Sequence, residues 1–159
     1  MRAALGLLLA SGMAGCSGGS EAVVPSRVDT APFDGRYELV ADASFGKMRQ
    51  EVEAEPDAQR KQTGQLLLAR FAEQYANFRV SRGIVRSGER LVQEFSLTEG
   101  SLSGTTWRGK ALWHEDIHDP GDANEVGVQL TLEGDRLEFA MLGENGEAGD
   151  PVVLRRAVP

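Results

Sequence analysis

Both histidines of the chain fall in one five-residue segment, His114-Glu115-Asp116-Ile117-His118. The pattern H-E-x-x-H carries a definite chemistry when it is helical. Imidazoles four residues apart then share a face and bind a zinc ion, and the glutamate beside the first polarises a water for attack on an amide. Gly121 also fits the longer pattern H-E-x-x-H-x-x-G-x-x-H, whose last position supplies a third ligand. That position holds Asn124, and a neutral amide is a poor zinc ligand beside imidazole and carboxylate. The flanks favour strand: Gly104, Thr105, Thr106, Trp107, Gly109 and Trp113 precede the segment, and Pro120 follows it closely. In a strand, residues 114 and 118 lie roughly 13 Å apart, too far to share one ion. We therefore expect a polar loop between two strands, with a zinc metallopeptidase using His114, Glu115 and His118 as the alternative.

Other reactive constellations are weaker. Gly100-Ser101-Leu102-Ser103-Gly104 places Leu102 where a nucleophile elbow has its serine. No glycine-rich phosphate loop of the usual spacings occurs. Glu51, Glu53, Glu55 and Asp57 read as a solvated helix face. The sequence thus nominates no catalytic residue, no metal ligand and no cofactor, and the leading expectation is a binding protein rather than an enzyme.

The single cysteine, Cys16, rules out an intramolecular disulfide and any zinc site with two thiolates. Its surroundings suggest another use. Arg2, an apolar run from Ala3 to Ala10, and small residues up to Met13-Ala14-Gly15-Cys16 follow in the order of a secretory signal. The run is about half the ~20 residues that a membrane-spanning helix needs. The ending resembles the lipobox of bacterial lipoproteins, which implies cleavage of residues 1–15 and attachment of lipid at Cys16. Two or three acyl chains, at roughly 0.8 kcal/mol per buried methylene, anchor a protein stably. Residues 16–32 then read as a lipidated cysteine and a Gly/Ser/Pro-rich tether. Ser17 in place of Asp implies, by the same resemblance, the outer membrane rather than the inner one, with the body facing the periplasm or the cell exterior.

Charge narrows the partners. There are 17 basic and 24 acidic residues, a formal charge of −7, and loss of residues 1–15 removes Arg2 alone, leaving 16 basic against 24 acidic residues, or −8. An acidic body of this kind opposes nucleic-acid binding. The membrane, through the anchor, is the expected contact, together with a small apolar ligand or another envelope protein.

The elements that would position any site come from periodicity. A first strand spans Gly35 to Val40. Phe45, Met48 and Val52, then Leu67, Phe71 and Tyr75, recur at helical spacing over residues 45–77, with a break expected at Pro56. Beyond Phe78 the period becomes two: Leu91, Gln93, Phe95 and Leu97; Trp107, Ala111 and Trp113; Val126, Val128, Leu130 and Leu132; Leu137, Phe139 and Met141. Turns are expected at Ser87-Gly88, Glu99-Gly100 and Gly134-Asp135, and a last strand at Val152 to Arg155. The fold class expected is mostly β with a helical segment: about seven antiparallel strands in a meander, closed into a barrel or strongly curved sheet over residues 33–157 and covered by the helix inserted after the first strand.

Gly35-Arg36-Tyr37 at the start of the first strand, the meander, and a final strand ending in Leu154-Arg155-Arg156 resemble the lipocalin-like lipoproteins of bacteria. Lipocalins have Gly-x-Trp in the first strand and pack a basic residue from the end of the barrel across that ring. The resemblance implies that Tyr37 takes the tryptophan's place and that Arg155 or Arg156 is its partner. Tyr37, Phe95, Trp107, Trp113 and Phe139 are then candidates to line either a ligand cavity or a solid core.

Overall fold

The computed structural model describes residues 28–118 and 123–158. The signal, Cys16 and most of the spacer lie outside the described residues. Eight antiparallel strands, each hydrogen-bonded to the next, close into a barrel: β1 (Gly35–Leu39), β2 (Phe78–Ser81), β3 (Ile84–Ser87), β4 (Gln93–Ser103), β5 (Thr106–His114), β6 (Asn124–Glu133), β7 (Arg136–Leu142) and β8 (Val152–Arg156). The seam joins β8 to β1, with Arg156 opposite Tyr37 and Leu154 opposite Leu39. Two helices, α1 (Gly46–Ala54) and α2 (Ala58–Gln74), occupy the connection from β1 to β2. The architecture expected from the sequence is thus present, and it is compatible with a lipocalin-like fold.

The strands number eight rather than about seven, and two short ones lie between Phe78 and Ser87. β2 and β3 are four residues each and turn at Arg82-Gly83, where φ is +52° and +79°, the left-handed pair that suits a two-residue hairpin. The turn expected at Glu99-Gly100 is absent. β4 runs on to Ser103 with a register irregularity between Leu97 and Glu99, and reverses instead at Gly104. Gly100 and its partner Gly109 are there for another reason. A Cβ at either position would collide with the Trp107 ring or the facing backbone, so the two glycines form the floor on which the buried indole lies.

The helical segment breaks at Pro56 as its ring dictates. Asp57 caps α2, its carboxylate accepting the Arg60 amide at 2.8 Å. α1 is capped from far away: the Met48 amide donates to Asp150 Oδ2 in the β7–β8 loop at 3.0 Å. The helices approach closely at Gly64, where a Cβ would come within 2.5 Å of Val52. The apolar stripe of α2 is rotated from the expected one. Leu68, Phe71 and Tyr75 face the barrel, whereas Leu67 is exposed beside Leu66.

Residues 28–32, assigned to the tether from sequence, pack at the opposite end. Val28 lies on the core and Thr30 is buried. The Thr30 hydroxyl donates to Asp34 and accepts from the Gly83 amide at 2.9 Å. Asp34 also accepts from the Arg82 amide. The β2–β3 turn is thereby laced to the N-terminal segment.

Candidate functional site

Alternation along eight strands sends one set of side chains inward, and here that set fills the barrel. Phe78 meets Phe139 with ring centres 5.4 Å apart, and Phe139 meets Phe95 at 5.0 Å. Phe95 stacks on Trp113 at 6.1 Å with the planes 12° from parallel. From the helical end, Tyr75 reaches Phe139 at 5.9 Å and Phe45 at 6.0 Å, and Phe45 contacts Phe71. These separations lie in the attractive range for tilted and offset rings. Tyr37, Phe95, Trp107 and Phe139 are fully buried, and Trp113 is half-buried. The sequence-nominated aromatics therefore form a packed core, and an eight-strand barrel is narrow enough for its own side chains to fill it.

Beneath α2, Ser87 and Gln93 are buried polar groups. With its amide oriented to satisfy both ends, Gln93 donates to Ser87 Oγ at 2.8 Å and to the Gln74 carbonyl at 3.2 Å. Its oxygen accepts from Trp113 Nε1 at 3.0 Å. The network ties β3, β4, β5 and the last residue of α2 together. Ser44 does the same at the seam, its hydroxyl accepting from the Val153 amide at 2.9 Å and donating to the Val40 carbonyl. Periodicity did not signal either group, because each is defined by partners distant in sequence.

At the other end, Arg156 is the basic partner of Tyr37. Its guanidinium carbon stands 5.4 Å from the ring centre. Arg156 Nη2 donates to Tyr37 Oη at 3.0 Å and to the Pro32 carbonyl at 3.2 Å, while the phenol donates to the Phe33 carbonyl at 2.7 Å. Burial pushes the Tyr37 phenol above its ordinary pKa, against the opposing pull of Arg156. Tyr75, without such a partner, is pushed by burial to about 12. Arg155 points outward, near Asp135.

The HEDIH segment has no helix. His114 is the final residue of β5, with its Cα opposite Glu94. Glu115 and His118 are exposed, and Asp116 accepts the His118 amide in a local turn. Asn124, the would-be third ligand, opens β6 opposite Trp113. The convergence of imidazoles on which the zinc alternative depends is therefore missing, because strand-forming residues carry β5 right up to His114. Among the described residues, no group of three or more His, Cys, Asp or Glu side chains could hold a metal ion.

Recesses lie along the barrel's outer wall and rim. One of about 760 Å³ borders β1 and β2, and a neighbouring one of about 240 Å³ borders β2 and β3. Comparison with known protein families, curated proteins and solved structures finds no match.

Proposed function

We propose that the protein is a lipid-anchored module of the bacterial envelope that binds through its outer surface rather than carrying cargo inside the barrel. The observation that carries the reading is the aromatic packing of the interior: rings from β2, β4, β5, β7 and the helical connection contact one another where a carrier would keep space. An apolar ligand entering between them would displace rings that are already in contact, and interiors at native density tolerate little of that. Cys16 is the lipid-attachment residue in this reading. Anchored through it, the acidic body faces the periplasm or the cell exterior from the outer membrane, held off an anionic surface by its own charge.

Two measurements test the proposal. Cys16→Ala is expected to move the protein from the membrane fraction to the soluble one and to abolish incorporation of a labelled fatty acid; continued membrane retention overturns the anchor. Native mass spectrometry of protein purified from its own envelope is expected to show no stoichiometric small apolar ligand, and finding one overturns outer-surface binding.

A further inference from the structure

The outer wall of β1, β2 and β3 carries a row of like charges. In the register Arg36 lies opposite Arg79, and Arg79 opposite Arg86. Residues directly opposite on one face have Cβ atoms about 5 Å apart, so three guanidinium stems leave the sheet side by side. Like charges so placed weaken a sheet, and they gather here on a chain with an acidic excess. One of them is neutralised: Arg86 Nε meets Glu94 Oε2 at 2.8 Å. Arg36 and Arg79 are exposed, and among the described residues their side chains make no ion pair. Arg82, on the β2–β3 turn, adds a further cation at the same wall.

The row is recessed. The larger recess is bordered by Arg36, Arg79, Asn77 and Leu91, the smaller by Arg79, Arg82, Arg86 and Leu91. Arg79 and Leu91 are common to both, so the two are neighbouring parts of one trough. Leu91 is held at φ +53°, a left-handed conformation that leucine rarely adopts and that concentrates at binding sites. Glu38 and Glu89 also line the larger recess. Glu38 faces Arg155 across the seam in the register.

We propose that this trough binds a ligand carrying two or more phosphate groups, with Arg36 and Arg79 each presenting a planar guanidinium fork to phosphate oxygens. Arginine suits this task because its paired N–H groups match the oxyanion bidentately. The proposal rests on the reading that the protein works from its outer surface, and it makes that surface specific. Glu38 and Glu89 repel an anion from their part of the larger recess, which favours the side lined by the arginine row.

Titration calorimetry of the full chain in detergent, with sodium tripolyphosphate at low salt, tests it. Saturable one-to-one binding is expected, weakened about tenfold by Arg79→Gln, the loss of one charge-assisted fork. Arg108→Gln, on the exposed side of β5 and lining neither recess, changes net charge equally and is expected to alter affinity less than about twofold, because it removes no guanidinium fork from the trough. Equal weakening by both substitutions, or no saturable binding, overturns the site. Thermal unfolding of each variant confirms that it is folded. Flotation of the Cys16→Ala chain with phosphatidylcholine vesicles, with and without phosphatidate, identifies the source. Retention on phosphatidate that Arg79→Gln abolishes assigns the phosphates to a lipid headgroup, and tripolyphosphate binding without retention assigns them to a soluble ligand. Cys16→Ala leaves the tripolyphosphate titration unchanged, so failure of the anchor and failure of the trough read out separately.

Discussion

At the end where the chain enters β1, closure depends on hydrogen bonds made by a few residues close together: Tyr37 to the Phe33 carbonyl, Arg156 to Tyr37 and the Pro32 carbonyl, Thr30 and Asp34 to the β2–β3 turn. At the helical end, closure depends on rings, with Phe45, Phe71 and Tyr75 descending onto Phe139 and polar ties at Gln93, Ser44 and Asp150. The difference follows from the chain. Short segments near the N-terminus present backbone groups that need partners, whereas a helix satisfies its own backbone internally and has only side chains to offer. The two ends should therefore respond differently to loss of apolar area, loss of a buried polar partner, and ionisation.

The largest expected effect is at the ring cluster. Phe139 contacts Phe78, Phe95 and Tyr75 and is fully buried, so Phe139→Ala should cost about 3–5 kcal/mol in chemical denaturation. A loss under about 1 kcal/mol would mean that the barrel is not packed as a single core. Gln93→Leu comes next. It strands Trp113 Nε1 and Ser87 Oγ under α2, and a buried polar group without a partner costs about 1–3 kcal/mol. Hydrogen exchange should show the loss chiefly in α2 and the β3–β4 loop; uniform loss around the barrel would remove the distinction between the ends. Tyr37→Phe, which keeps the ring and deletes the hydroxyl with its two hydrogen bonds to Phe33 and Arg156, should cost about 1–2 kcal/mol, and should loosen the N-terminal segment instead.

What the sequence made legible was whatever repeats locally. Val126, Val128, Leu130 and Leu132 alternate without a fault and form β6, half-buried at its margins and sealed in the middle. Pro56 breaks the helices because a ring constraint acts on its own neighbourhood. The pairing of Gly35-x-Tyr37 with an arginine at the chain's end was legible only through resemblance, and the register singles out Arg156 by placing it directly opposite Tyr37. β2 and β3 were obscured because each buries two residues, and their turn is Arg82-Gly83 rather than a stronger hairpin pair. Gly100 was read as a turn because glycine's local meaning and its packing meaning look alike in a string; Trp107 decides between them. The arginine row was invisible, since Arg36, Arg79 and Arg86 become neighbours only when three strands are in register.

The smallest effect is spectroscopic and separates the ends most directly. The chain has two tyrosines, one at each end, so phenolate absorbance reports both without interference from others. An unfolded phenol ionises near pH 10. Tyr75 is held to about 12 by burial alone, and Tyr37 is raised by burial against the opposing Arg156. A raised phenol binds its proton more tightly in the folded state, so its contribution to stability is full below pH 10 and is lost as pH climbs toward the folded value. Tyr37 should therefore ionise before Tyr75, with Tyr37→Phe deleting the earlier step. Arg156→Met removes the cation that favours phenolate and should delay the Tyr37 step while leaving the Tyr75 step in place. An unchanged Tyr37 step would show that the guanidinium does not sit over the ring in solution, and the polar closure of that end would lose its central contact.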